Sequence, residues 1–199
     1  VGLFAQPHQR CGTCALPLPQ GMRQCGSCLK NPPPLDQCLA AVAYAYPWST
    51  LMTDFKFHGQ SGLARTMATL MHATPWIDSA LDAAQPVLPM PLSPQRLAER
   101  GYNQAHLLAG ALSPKKNRTD LLLRVLDTPA QRTLKRTQRL SALNQAFAID
   151  PLQAHQLKGA RVVLVDDVMT TGASLHAAAR VLRAAGVAQI TGLVFARTE

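Results

Sequence analysis

Acidic side chains are scarce in this chain. Eleven Asp and Glu stand against 20 Lys and Arg in 199 residues, for a formal net charge of +9 and an isoelectric point near 9.8. Long apolar runs are missing as well. The longest candidate, CLAAVAYAY at 38–46, stops at Pro47, short of the ~18 residues that cross a bilayer, so an integral membrane protein is not expected. The first residues carry neither a basic n-region nor an apolar h-region, which speaks against a signal peptide. They also lack an initiating Met, and residues upstream of Val1 are expected to be missing. No internal repeat or low-complexity tract breaks the chain. What remains is a chain that is 47% apolar, enough for a packed core and too apolar for wholesale disorder, with the cytoplasm as its expected place.

The positive charge is uneven. Eight of the basic residues fall between 115 and 139 (Lys115, Lys116, Arg118, Arg124, Arg132, Lys135, Arg136, Arg139), opposed only by Asp120 and Asp127, with Arg96 and Arg100 upstream. Such a cluster suits a polyanion, either a phosphorylated small molecule or nucleic acid; a solvated basic loop without a partner is the alternative.

Four of the five cysteines form two C-x2-C pairs, Cys11/Cys14 and Cys25/Cys28, each opened by Cys-Gly. A C-x2-C turn aims two thiolates at one point, and a tetrahedral Zn²⁺ takes two such turns. About thirty residues bury little core, so a metal would supply the folding energy. Two disulfides suit a cytoplasmic chain poorly, and a redox pair needs a βαβ setting that residues 1–30 do not provide. The pattern points to a zinc ribbon, with a knuckle at each end of a hairpin. Cys38, alone in an apolar run, reads as a small buried hydrophobe. The prolines at 32–34 make a stiff linker, which divides the chain into residues 1–34 and 35–199.

The larger part alternates strands with helices: strands at 38–46 (an edge), 85–92, 120–126, 161–166 and 188–196, and helices at 49–59, 62–74, 103–112 and 174–185. The strand at 85–92 runs into a Pro-bounded loop, Asn103 caps the helix after it, and 127–146 is polar and weakly periodic. The alternation implies an α/β fold with a parallel sheet. The stretch VVLVDDVMTTGASL (162–175) carries the chemistry. Ligands gather at the carboxyl ends of parallel strands, and here a buried strand ends on Asp166 and Asp167. Paired carboxylates can accept from vicinal ribose hydroxyls or hold Mg²⁺ through water. The loop that follows, 166–174, offers consecutive N–H groups, the hydroxyls of Thr170, Thr171 and Ser174, and Gly172 for close approach, and it opens a helix whose N-terminus attracts phosphate. A ribose phosphate matches both halves. A plain βα turn with an Asp cap accounts for one carboxylate and leaves the other unexplained.

Residues 162–174 match the phosphoribosyl-pyrophosphate (PRPP) signature of type I phosphoribosyltransferases. DFKFHG (54–59), PMPLSPQRLAERGYNQAHLLA (89–109) and TPAQRTL…AF (128–147) resemble the ComF family of competence and DNA-uptake proteins, and the cysteine segment resembles its second zinc ribbon. Longer family members carry an earlier pair of C-x2-C knuckles, absent here. The resemblance implies a phosphoribosyltransferase-like parallel sheet flanked by helices and preceded by a small zinc ribbon. It implies that Asp166 and Asp167 take the ribose hydroxyls and Mg²⁺, and that Thr170, Thr171, Gly172, Ala173 and Ser174 cradle the 5′-phosphate. Pro91, Leu92 and Ser93, in the turn 90–93, would form the pyrophosphate loop with Arg96 and Arg100 near, and 127–146 a hood. The family's basic residue and Asn before the last Ala-Phe are replaced by Ser141 and Ala142, so Asn144 is given no role. Purine-salvage enzymes have an Asp where this chain has Thr170, which lacks acid–base capacity near neutral pH and disfavours purine salvage.

On this resemblance the expected function is handling of single-stranded DNA in competence, with Lys115, Lys116, Arg118, Arg132, Lys135, Arg136 and Arg139 tracking the backbone and an uptake helicase or membrane channel component as partner. The alternatives are an active PRPP-dependent transferase with an unknown acceptor, and a PRPP sensor that signals through the ribbon. Aromatics are only 5%, which limits base stacking; Tyr102 and Phe147 are the candidates, and each reads more simply as core. His8, His58, His72, His106, His155 and His176 are scattered and are assigned no role.

Overall fold

A computed structural model describes residues 9–126 and 145–199. The parallel sheet is built from β1 (Gln37–Ala43), β2 (Val87–Pro89), β5 (Arg161–Met169) and β6 (Gln189–Arg197) in the order β1-β6-β5-β2, with every pair parallel. β1 is an edge, as its sequence suggests. The apolar runs of β5 and β6 are near-continuous because both faces of the sheet are covered. Val163, Val165, Leu193 and Phe195 pack on one side with α2 (Trp48–Phe57), α3 (Leu63–His72), α4 (Ile77–Ala83) and α6 (Gln104–Leu112). Val162, Leu164, Ile190 and Val194 pack on the other with α7 (Ala173–Ala184), whose stripe of Leu175, Ala178, Ala179 and Leu182 is buried. The N-terminal cysteines, together with the short helix α1 (Gly26–Lys30), are buried against this second side.

Besides the short elements α1 and α4, which the sequence reading does not name, three departures bear on the site. β5 does not end at Asp166: its pairing with β6 continues to Met169↔Arg197, so the loop shrinks to 170–172. Apolar Val168 and Met169 keep the chain in the sheet beyond the two carboxylates. The segment expected as a strand at 120–126 does form β3 (Leu122–Arg124), but it pairs antiparallel with β4 (Phe147–Ile149) in a separate two-stranded sheet. The Pro-bounded loop after β2 contains a helix, α5 (Pro94–Arg100), with Ser93 as N-cap accepting from the Arg96 N–H at 3.3 Å and Pro94 in the first turn. Its far end is Gly101 at φ +76°, a left-handed position that glycine takes without Cβ strain. The 3₁₀ turn Ala154–Leu157 precedes β5.

Register places the last residues of β1, β6 and β5 along one edge, through Ala43↔Arg197 and Met169↔Arg197, while β2 ends earlier, with Pro89 opposite Val165 and so just before Asp166. Loops and helix ends converge there.

Candidate functional site

Beyond that edge lies a cleft of about 170 Å³, lined by Lys56, Pro91, Leu92, Arg96, Arg100, Asn103, Arg124, Asp166, Asp167 and Ser174, among others. Seven residues expected at the site from sequence (Pro91, Leu92, Arg96, Arg100, Asp166, Asp167 and Ser174) thus share one wall. Ser93 does not reach it, being buried and used as the cap of α5. Thr170 and Thr171 are exposed and lie outside the lining, with Thr171 Oγ1 accepting from the Ala173 N–H at 3.3 Å. Arg132, Lys135, Arg136 and Arg139, with Ser141, Ala142, Asn144 and most of the expected hood 127–146, lie outside the described residues.

Strand alternation sends Asp167 toward α2, where its Oδ2 lies 3.1 Å from Lys56 Nζ without the alignment of a hydrogen bond. Asp166 Oδ1 accepts the Asp167 N–H at 2.9 Å. Burial, and next the charge of Asp167, push the Asp166 carboxyl up from 3.8 to about 7, against the opposing pull of that N–H, Lys56 and Arg100. Two carboxylates competing for one cation fit a divalent metal, which takes oxygen ligands and removes their mutual repulsion.

Gly172 turns the chain into α7 at φ +78°; a Cβ there would meet the Met169 methyl and lie 2.9 Å from His176 Nε2. The His176 N–H donates to the Gly172 carbonyl at 2.8 Å. Its ring nitrogen Nε2 is buried without a hydrogen-bond partner, and burial, followed by Arg180 and Arg197, holds its pKa down.

Sequence reasoning missed Lys56, Asn103, Gln104 and Arg124. Lys56 stood inside the DFKFHG motif, and its signal was a basic residue on an otherwise apolar-faced helix. Asn103 was read only as a cap; it accepts from the His106 N–H and also donates to the Met90 carbonyl at 3.0 Å, holding the turn 90–93. The two stacking candidates are structural: Tyr102 donates to the Phe55 carbonyl, and Phe147 is buried beneath Arg124. The basic cluster is divided in space. Asn117 bridges to Val87 and the Arg118 N–H donates to the Val87 carbonyl, which puts Lys115, Lys116 and Arg118 beside the amino end of β2, away from the cleft. Lys116 Nζ donates to the carbonyls of Leu81 and Asp82 at 2.8 Å each, and Arg118 grips Asp120 with two bonds of 2.8 and 2.7 Å.

The four paired cysteines converge, with their sulfurs within 4.8 Å of one another, all free thiols. Tetrahedral Zn–S bonds of ~2.3 Å separate sulfurs by about 3.8 Å, and Cys14 Sγ lies 3.7 Å from Cys25 Sγ. Backbone N–H groups of Cys25 and Cys28 donate to Cys11 Sγ and Cys25 Sγ at 3.4 and 3.5 Å. Burial raises the Cys11 thiol, but N–H donors from Cys25, Thr13 and Cys14 outweigh it and bring it to about 7. The cluster fits a thiophilic metal ion. Cys38 is 2% exposed and takes no part.

One buried side chain ties the cysteine cluster to the cleft's loop. Arg197, 8% exposed, donates through Nε to the Cys14 carbonyl at 2.9 Å and through Nη1 to the Met169 carbonyl at 3.2 Å.

Residues 100–198 match the phosphoribosyl transferase domain. The chain is 35% identical over 188 residues to competence protein F of Haemophilus influenzae, covering 90% of this chain and 81% of that protein. The chain belongs to the ComF family. This ComF-family protein is also 30% identical over 197 residues to the DNA utilization protein YhgH of Escherichia coli K12 (94% and 84% covered) and 34% identical over 154 residues to competence protein ComFC of Bacillus subtilis (73% and 61%). The domain match takes in Arg100, Asp166, Asp167 and the loop after them, but stops short of Lys56, Arg96 and the turn 90–93. Among the described residues no helix is long and apolar enough to cross a membrane.

Proposed function

We propose that this protein binds PRPP or a related ribose phosphate with Mg²⁺ and acts in natural competence, in the uptake or handling of single-stranded DNA. The observation that carries the reading is the paired carboxylates Asp166 and Asp167 gathered with Lys56, Arg96 and Arg100 in the lining of one small cleft. Asp166 and Asp167 would accept from the ribose 2′- and 3′-hydroxyls and would hold the Mg²⁺, which would supply positive charge beside the pyrophosphate. Residues 170–174, at the N-terminus of α7, donate to the 5′-phosphate. The turn 90–93, with Arg96 and Arg100, receives the pyrophosphate.

The competence role rests on the names of the relatives, two of them competence proteins and one a DNA utilization protein. Single-stranded DNA and an uptake helicase or membrane channel component are the proposed partners, in the cytoplasm. The four paired cysteines hold one structural zinc in a ribbon spanning residues 1–34, and 35–199 form the phosphoribosyltransferase-like unit. The phosphoribosyl transferase match supports a second reading, in which an acceptor attacks C1 of the ribose as the C1–O bond to pyrophosphate breaks, with Arg96 and Arg100 stabilising the departing pyrophosphate; bound Mg²⁺ would supply further positive charge there.

Calorimetry with PRPP and with ribose 5-phosphate, each with and without Mg²⁺, tests the site. Mg²⁺-dependent binding is expected. The Asp166→Asn/Asp167→Asn protein should lose it, at about 1.5–3 kcal/mol per charge-assisted bond, while still unfolding in one cooperative thermal transition. Equal affinity of wild type and double mutant would move the sugar site elsewhere. Pyrophosphate release from PRPP with a nucleobase or amine, without DNA affinity at physiological salt, would favour the transferase.

A further inference from the structure

The cleft is small for the ligand class that its neighbourhood favours. Its volume of about 170 Å³ lies below the ~300 Å³ at the low end of enclosed small-molecule sites. In a cleft of this size a base attached to a bound sugar phosphate projects toward the rim.

On that rim stands Phe57. It is 65% exposed, whereas Phe55 and Phe195 are fully buried and Phe147 is 4% exposed. Phe57 is the last residue of α2 and directly follows Lys56, whose ammonium enters the cleft to meet Asp167. The helix end is fixed: the His58 N–H donates to the Asp54 carbonyl, its ring bonds the Asp54 carboxylate at 2.7 Å, and the chain turns away at Gly59, φ +68°. The ring is held from the cleft side by Arg100, whose guanidinium carbon lies 5.5 Å from the ring centroid. Arg100 lines the cleft and is itself held by a 3.1 Å bond to Gln104 Oε1. A planar cation over an exposed ring, both anchored and both bordering an anion-binding cleft, presents the two surfaces on which nucleobases stack.

We infer that Phe57 and Arg100 form a stacking platform for a nucleobase at the mouth of the cleft, so that the site takes a base-bearing ribose phosphate, either a free nucleotide or one residue of a single strand. The inference rests on the ribose-phosphate reading of Asp166 and Asp167. The proposed phosphate and sugar contacts, at residues 170–174 and at Asp166 and Asp167, do not involve the base; the platform adds affinity for any base, because every base has a π-face. The order of the parts follows from the proposed roles: metal and diol at Asp166 and Asp167 of β5, 5′-phosphate at residues 170–174, base at the end of α2.

The test compares wild type with Phe57→Ala and Phe57→Trp, using calorimetry with ribose 5-phosphate and with AMP and UMP, and anisotropy with a labelled oligothymidine and an abasic strand of equal length. Phe57 is exposed, so the variants should keep the wild-type thermal transition. Phe57→Ala should weaken the base-bearing ligands by between about 5- and 150-fold and leave ribose 5-phosphate and the abasic strand unchanged; Phe57→Trp should retain or tighten them. A response of the nucleotides alone assigns the platform to a free nucleotide, and a response of oligothymidine assigns it to a strand. Wild-type binding of ribose 5-phosphate with no effect of Phe57→Ala on any base-bearing ligand overturns the platform alone. Equal weakening of ribose 5-phosphate by Phe57→Ala also overturns it, making the ring a support of the cleft. No ribose 5-phosphate binding by wild type overturns the underlying reading, and the platform with it.

Discussion

Asp166 and Asp167 are neighbours in the chain with different surroundings. Asp167 has a lysine ammonium 3.1 Å away, while Asp166 is answered mainly by a backbone N–H and is pushed up to about 7 by burial and by Asp167. Between the ordinary value of 3.8 and about 7 the folded protein therefore holds a proton on Asp166 that the unfolded chain has released. Stability falls as pH rises wherever the folded state binds more protons, so this contribution declines from pH 4 to 7 and is gone above. In Mg²⁺-free buffer, Asp166→Asn should raise the free energy of unfolding at pH 8 by about 1–3 kcal/mol and change it little at pH 4, as followed by denaturant titration at both pH values. Metal binding runs the other way, since a protonated Asp166 is a poor ligand, and Mg²⁺-dependent affinity for ribose 5-phosphate should weaken as pH drops from 8 to 6.

At the scale of elements, the sheet and its ends were legible because their signals are local. The apolar run 162–165 and the small-residue turn after it specify a buried strand and a tight βα junction, and the spacing of the four paired cysteines specifies their convergence. The end of β5 was misjudged because charge at Asp166 and Asp167 reads as a loop, whereas cross-strand pairing with β6 keeps both in the ladder. α5 escaped notice behind its prolines, although Ser93, Pro94 and Gly101 are a start and a stop for a helix. Lys56 could not be placed at the carboxylates from sequence, since that ion pair spans 111 positions and depends on how α2 packs on the sheet. The cysteine element gives a direct measurement. Elemental analysis of freshly reduced protein should find about one zinc per chain, lost on replacing Cys25 with Ser and unchanged in Cys38→Ser, whose thiol is buried outside the cluster. Full folding without any metal would contradict this.

Across the whole molecule, charge that is contiguous in the chain is not contiguous in space. Lys116 and Arg118 are engaged with α4 carbonyls and with Asp120 at the amino end of β2, while Arg96, Arg100 and Arg124 border the cleft at the opposite end. If one strand is tracked by basic side chains of 132–139, which lie outside the described residues, its affinity should fall with salt at ~0.7 per phosphate neutralised on a log–log plot. Replacing Lys135, Arg136 and Arg139 together with Ala should flatten that slope by about two, equally for all sequences. Replacing Lys115 should leave it unchanged. A triple mutant with the wild-type slope in an anisotropy salt titration would take 135–139 off the DNA path.

Arg197 donates both to the Cys14 carbonyl, inside one cysteine turn, and to the Met169 carbonyl, at the last residue of β5 before the loop 170–172. If zinc and the sugar phosphate bind as proposed and each shifts the position of Arg197, the two equilibria are coupled, and such coupling is reciprocal. Saturating PRPP and Mg²⁺ should therefore raise the chelator concentration needed to strip half of the zinc, by roughly 5-fold for a coupling of ~1 kcal/mol. Zinc-depleted protein should bind PRPP more weakly by the same factor. Arg197→Met should uncouple the two, keeping one zinc per chain while the ligand no longer protects it. In a cell short of zinc, such a protein would lose its hold on the sugar phosphate as well as its metal, which makes cellular zinc supply an input to whatever the ligand controls.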